Sequence, residues 1–430
     1  MKRRVAITGI GPVTSIGIGK DCFFENILRH ETRISAVPEE FEKNYSFKSR
    51  HFVPAPDFSL SEFGIPRSLE NAMEKISKFS VAGAKLALED GGFQINSGER
   101  YFQTDLPESC DIVLGVGMSS LQTAFHSYLS HMSHMFGGEK VIREEHDIKT
   151  GFHRMVIPML MPNAASAWIS ILFGIRGTNY TINTSCASGT CAIGEAYRRI
   201  VSGCCDVAIT GGVECLEEKN GAIMRGFDML GTLTRSPGGN PMPFSKERSG
   251  FLFNAGAGCI LVLEDLTLAQ KRGALIYAEI CDYGSNSEAF NIVQMDKSGK
   301  QISEVLRKLV QNHKIDYINA HGTGTITNDE IEARVIQEIF GNSKDQPLVN
   351  STKGILGHSI GASGAVEAGV TALSLYYGKV HGNIIDHPMD NLNLVLESRE
   401  AEINYGISAS YGFGGHNGAI LLKRYDESHE

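Results

Sequence analysis

The sequence predicts an α/β fold, with helices laid over the faces of mostly parallel sheets. Three observations carry that expectation. Short β-branched runs end in glycine, as in Val5-Ala-Ile-Thr-Gly9 and Asp111-Ile-Val-Leu-Gly115. Helical patterns alternate with them along the whole chain. A 430-residue chain with 42% apolar and 21% charged residues can also bury a large core.

Taken in order, the chain opens on a strand, Val5 to Thr8, running into a glycine turn. Its basic start resembles a signal peptide, but glycines and Pro12 interrupt the apolar stretch, so none is expected. Gly9-x-Gly11 lacks the third glycine of a dinucleotide site, Thr14 standing there, and reads as a turn. Residues 20–62 are polar and irregular apart from a helix near Asp21 to Leu28. Ser77 to Gly91 is an amphipathic helix, with Phe79, Ala82 and Leu86 inward and Lys78, Lys85 and Glu89 outward. A buried strand follows at Asp111–Gly117.

Residues 126–153 carry five histidines, and His131-x-x-His134 has a spacing that places two ligands on one helix face. No acidic or cysteine partner is fixed beside them, so the expectation is a solvated insertion and no metal. A helix at Ala164–Phe173, a strand at Tyr180–Asn183, a helix at Ala187–Ile200 and a strand from Cys205 to Val213 follow. Residues 232–250 form a long loop before a strand at Ala257–Glu264 and a helix at Leu266–Arg272. The boundary between two halves, 1–268 and 269–430, is placed there. The second half repeats the alternation: strand Ala274–Cys281, helix Gln301–His313, strand Tyr317–Ala320 and helix Asp329–Phe340. A Gly/Ala-rich helix from Ala362 and strands Ile407–Ser410 and Gly418–Lys423 complete it.

Composition excludes several classes. A net charge of −9 supplies no broad basic surface for nucleic acid. No run reaches the roughly 18 apolar residues of a membrane span. Nine cysteines, an odd number without a CxxC pair, fit reduced thiols in the cytoplasm better than a disulfide framework.

Candidate chemistry centres on residues 181–191, Thr-Ile-Asn-Thr-Ser-Cys-Ala-Ser-Gly-Thr-Cys. Cys186 falls at a strand-to-helix elbow, where free backbone N–H groups and the helix dipole favour a thiolate and lower the thiol pKa. Small neighbours leave room for a substrate carbonyl. A small buried thiol is the alternative there. His321, in Asn319-Ala-His-Gly-Thr-Gly-Thr325, follows a strand end, where ligands gather in open α/β sheets. His358 lies in a second glycine turn, Lys353-Gly-Ile-Leu-Gly-His358. Each is a catalyst or a hydrogen-bonded core histidine. A third glycine loop, Tyr411-Gly-Phe-Gly-Gly-His-Asn417, suggests close backbone approach and a bulky side chain that can swing.

Together these motifs resemble the elongating β-ketoacyl-acyl-carrier-protein synthases (ketosynthase II-like) of the thiolase superfamily, over nearly the whole chain. The resemblance implies a thiolase-like fold of two similar halves in a layered αβαβα arrangement. It implies that Cys186 accepts an acyl group and that His321 and His358 assist decarboxylation of a malonyl thioester. The reaction would be a decarboxylative Claisen condensation in fatty-acid or polyketide/polyene elongation. By the same resemblance Lys353 and Glu332 form a buried supporting pair. The amides of Cys186 and Phe413 form an oxyanion hole, Phe413 and Tyr411 belong to a gate, and Met118 lines the acyl pocket. No metal or other cofactor is implied, since substrates ride on the phosphopantetheine of an acyl carrier protein. Docking of that acidic partner falls to Arg67, Lys75, Lys78 and Arg235. A homodimer is implied, or a heterodimer with a ketosynthase-like partner. Ala255 stands where an acidic residue is frequent, and Ser245 and Ser249 where Asp is usual; these departures point towards a specialised pathway. The alternative is a non-catalytic, chain-length-setting partner subunit, which Cys186 and both histidines oppose.

Overall fold

A computed structural model describes residues 3–43, 45–98, 101–118, 120–136, 154–311 and 313–426. Among the described residues, ten strands form the path of the main sheet, with a two-residue eleventh, Gly17–Ile18, pairing with the end of the first: β1 (Val5–Thr14), β2 (Cys110–Val116), β3 (Asn179–Ile182), β4 (Val207–Cys215), β5 (Gly256–Asp265), β6 (Ala278–Ser287), β7 (Tyr317–Asn319), β8 (Leu348–Asn350), β9 (Tyr405–Gly412) and β10 (His416–Lys423). Their spatial order is β8-β7-β9-β10-β6-β1-β5-β4-β2-β3. The path divides at the β6–β1 contact into two sets of five, one from each half of the chain.

Six helices complete the layers: α1 (Lys75–Asp90), α2 (Ala164–Phe173), α3 (Ser188–Val201), α4 (Lys300–Val310), α5 (Ile326–Phe340) and α6 (Ser363–Tyr377). Helices α3 and α6 touch each other and strands of both sets, so they form the middle layer. Helices α1 and α2 cover the outside of the first set; α4 covers the outside of the second, and α5 packs beside α4, sharing a buried cluster with β7, β9 and β10. This is the αβαβα stack expected from the resemblance. Its central core unites Ile7, Ile10, Ile193, Leu263, Ile280, Val370, Leu373 and Ile420, all fully or almost fully buried. Each such side chain contributes about 1.5–3 kcal/mol on leaving water. The middle helices approach closely because Gly189 has no side chain: a Cβ there would stand 2.7 Å from the Ala365 amide nitrogen.

The sheet departs from the expected parallel arrangement. Parallel pairing is confined to the two ends, β2 with β3 and β4, and β7 with β8 and β9. The central pairs, β4–β5, β5–β1, β1–β6, β6–β10 and β10–β9, are antiparallel. The last follows from chain length, because only residues 413–415 separate β9 from β10, which a tight hairpin spans and a parallel crossover cannot. Strand β6 starts four residues later than expected and reaches Ser287, and β8 was not anticipated, being three residues long. No helix among the described residues is long and apolar enough to cross a membrane.

Candidate active site

Cys186 sits in a single 3₁₀ turn, Ser185–Ala187, between β3 and α3. Ser185 holds a left-handed φ of 54°, a conformation costly for a serine and retained by the packing around it. The β9–β10 hairpin packs directly on this elbow. A side chain at Gly412 would come within 2.8 Å of the Thr184 carbonyl oxygen and 3.1 Å of the Cys186 nitrogen. That proximity brings the Phe413 amide to the Cys186 sulfur, beside the amide of Cys186 itself. Two backbone donors thus converge on the nucleophile position.

The second half delivers two imidazoles. His358 is fixed by its own backbone, donating N–H to the Leu252 carbonyl (2.7 Å) and accepting from Asn254 (3.2 Å). Its Nε2 lies 3.1 Å from Cys186 Sγ, and its Nδ1 lies 2.9 Å from Ser363 Oγ. Phe251 meets the ring edge-on with centroids 5.2 Å apart. His321 follows β7, and its ring stands at 86° to that of His358 with centroids 5.6 Å apart. The Tyr411 ring also meets His321, with centroids 5.5 Å apart. Cys186, His321 and His358 are therefore gathered in one buried chamber.

Electrostatics in the chamber follow from burial. The Cys186 thiol is pushed up, against the lowering pull of the Ser185 hydroxyl, Lys353 and the two amides. This corrects the expectation of a lowered thiol pKa: in a fully enclosed site, desolvation of the charged form outweighs the elbow's donors. Both histidines are held well below their ordinary value by burial first and the Lys353 charge second. They are neutral at pH 7, and each can present an N–H.

The supporting carboxylates differ from the expected pairing. Lys353 Nζ is ion-paired with Glu367 Oε1 on α6, both residues being 1% exposed. Glu332 instead accepts the backbone N–H groups of His321 (2.9 Å) and Gly322 (2.8 Å), and the Asn328 side chain (3.2 Å). Its oxygens are committed to fixing the histidine loop, which leaves the ammonium to Glu367. Burial pushes Glu332 and Glu367 up to about 7. Glu214 was also missed. It is fully buried, pushed up to about 8 by burial, and joins the halves by accepting from Met118 (3.0 Å) and Gly361 (3.1 Å). Lone acids inside small-residue runs (Gly-Ala-Val-Glu367 and Gly-Gly-Val-Glu214) were the available signal.

Phe413 is half-buried in the hairpin turn, and Tyr411 is buried with a hydroxyl that has no hydrogen-bond partner among the described residues. Met118 is 38% exposed at the exit of β2, next to Gly117, whose carbonyl accepts from Asn183 at 2.6 Å just before the Cys186 elbow. A cavity of about 460 Å³ is walled by Leu121, Cys215, Leu216, Met224, Phe253 and Ala255, among others. Most of these apolar residues share one buried cluster with Cys186. Arg67 and Arg235 are exposed, whereas Lys75 and Lys78 are paired with Glu217 (2.5 Å) and Glu70 (3.0 Å). His131 and His134 lie on the Leu121–Phe136 helix, while His146 and His153 fall outside the described residues. Among the described residues, no group of three or more His, Cys, Asp or Glu is placed to hold a metal ion.

Sequence models of the β-ketoacyl synthase N-terminal and C-terminal domains match residues 2–267 and 277–385. The chain belongs to the β-ketoacyl synthase family. Relatives within it include 3-oxoacyl-[acyl-carrier-protein] synthase 2 of Staphylococcus aureus strain COL, 30% identical over 99% of both chains. The protein of that name from Rhizobium meliloti is 31% identical over 98% of this chain and 99% of its own. The crystal structure of a β-ketoacyl synthase from Burkholderia phymatum superposes with a TM-score of 0.84 at 27% identity, covering 99% of this chain and 100% of that one. An ishigamide ketosynthase/chain length factor shares the fold with the same TM-score at 24% identity, covering 99% of this chain and 100% of its own.

Proposed function

We propose that this β-ketoacyl synthase family member is an acyltransferase that forms carbon–carbon bonds, a 3-oxoacyl-[acyl-carrier-protein] synthase. The observation that carries the reading is the 3.1 Å approach of His358 Nε2 to Cys186 Sγ, with His321 beside them. In the loading half-reaction, Cys186 attacks as the thiolate, which the His358 N–H and the Ser185 hydroxyl stabilise. The attacked carbonyl oxygen is received by the amides of Cys186 and Phe413. The carrier thiolate leaves and takes up a proton, so the Cys186 proton is replaced by an acyl group.

In the condensing half-reaction, a malonyl thioester presents its carbonyl to the N–H groups of neutral His321 and His358. Those donors stabilise the enolate as carbon dioxide leaves. The enolate carbon attacks the acyl-Cys186 carbonyl, the thiolate departs, and a β-ketoacyl carrier is released. Decarboxylation generates the nucleophile, so the proposed cycle uses no cofactor beyond the carrier's phosphopantetheine. The cavity lined by Leu216, Met224 and Phe253 is the proposed seat of the acyl chain.

The acidic carrier docks, in this reading, near exposed Arg67 and Arg235; an Arg235→Glu variant whose carrier KM is unchanged would remove that residue from the surface. The protein works as a dimer in the cytoplasm. Incubation with acyl-carrier and malonyl-carrier substrates tests the whole proposal. β-Ketoacyl carrier should form with stoichiometric carbon dioxide, and His321→Ala should abolish condensation while leaving Cys186 loading measurable. Loading without condensation by the native protein would contradict it.

A further inference from the structure

The two elbows of the middle layer are built alike. Ser185-Cys-Ala-Ser-Gly189 and Ile360-Gly-Ala-Ser-Gly364 each form a 3₁₀ turn entering α3 or α6, and each begins on a left-handed residue, Ser185 (54°) or Ile360 (46°). The serine closing each motif accepts the backbone N–H four residues back: Ser188 from Thr184 and Ser363 from Ser359, both at 3.0 Å. They differ in where the hydroxyl proton goes. Ser188 donates to the Ser185 carbonyl at 2.7 Å. Ser363 has His358 Nδ1 at 2.9 Å instead.

We infer that Ser363 is a positioning residue that donates to His358 Nδ1 and thereby keeps the ring proton on Nε2. The inference rests on the functional reading above and deepens it. Proton counting gives the direction. Ser363 Oγ accepts the Ser359 amide and has Ser359 Oγ at 3.2 Å. Ser359 is buried, and Ser363 is the partner of its hydroxyl. If Ser359 donates to Ser363, then Ser363 donates to Nδ1 and every group in the chain is satisfied. If Nδ1 carried the proton, Ser363 would have to turn its own towards Ser359, and the Ser359 hydroxyl proton would be left buried without an acceptor. The first arrangement leaves Nε2–H facing Cys186 Sγ, the donor that both half-reactions use. A rigid link from helix α6 to the reacting atoms results, through one hydroxyl.

The test has a readout independent of turnover. In ¹⁵N-histidine-labelled protein, long-range ¹H–¹⁵N correlation spectra, assigned with a His358→Gln variant, should show His358 as the Nε2–H tautomer. Ser363→Ala should move a measurable share of the proton to Nδ1 and lower condensation turnover about tenfold, with KM for the acyl carrier within twofold of native. Ser363→Cys, nearly isosteric with a weaker donor, should fall between the two and serves if the alanine variant does not fold. An Nδ1–H tautomer in the native protein, or a folded variant with native tautomer and turnover, would overturn the inference. Loss of condensation by the native protein with the Nε2–H tautomer intact would instead strike the functional reading alone.

Discussion

Replacing Lys353 by Met isolates the buried ion pair behind the histidines. Glu367 has one ammonium facing Oε1 and, among the described residues, no hydrogen-bond partner on Oε2, and burial holds its carboxyl at about 7 even with Lys353 in place. Breaking a buried pair costs about 3–5 kcal/mol. The cost here also depends on pH. The folded-state pKa lies above the unfolded one, so the native state binds more protons and stability falls as pH rises, by about 1.4 kcal/mol per pH unit. In the native protein that decline ends near pH 7, where Glu367 ionises against Lys353. Without the ammonium the carboxyl titrates higher still, and the decline continues. The stability gap should therefore widen above pH 7, by about 2–3 kcal/mol over two units. Urea unfolding followed through Trp168, the single tryptophan, at pH 6.5, 7.5 and 8.5 measures it. A gap that stays constant across that range would refute the argument that Lys353 is what lets Glu367 ionise.

Three further outcomes are expected. Because burial raises the Cys186 thiol, its alkylation by iodoacetamide should climb with pH above neutrality; a rate already at plateau by pH 6 would show a stabilised thiolate instead. Glu214→Gln should gain on the native protein as pH rises from about 5 to 8, since Glu214 releases its proton only near 8; parallel stability curves would exclude a buried neutral carboxyl. Tyr411→Phe removes a buried hydroxyl with no partner among the described residues and should raise stability by up to about 1 kcal/mol, read as a higher urea midpoint; a loss of that size would reveal a bond to the hydroxyl.

Much of this architecture was legible in the sequence because it rests on local signals. Helix α2 was read with the bounds it has, and the elbow at Cys186 and both histidine loops announced themselves by glycine and small-residue spacing. What escaped depends on contacts between distant segments. The direction of the central strands is set by pairings such as β1 with β5 and β6, which period-2 patterning does not encode. The choice of Glu367 over Glu332 as the partner of Lys353 is settled by which oxygens the His321 and Gly322 amides already occupy. The thiol pKa was misjudged because the elbow's donors are visible in sequence while complete enclosure is not. Ser363 looked like any small residue until its proton could be counted against His358.

The most direct test of Cys186 as the acyl acceptor is the intact mass of the protein after incubation with a panel of acyl-carrier thioesters, beside Cys186→Ala. The native protein should carry a single acyl adduct, absent from the variant, with Cys186 as the modified residue. A folded native protein that takes up no acyl group from any donor, or an adduct that persists in Cys186→Ala, would contradict it.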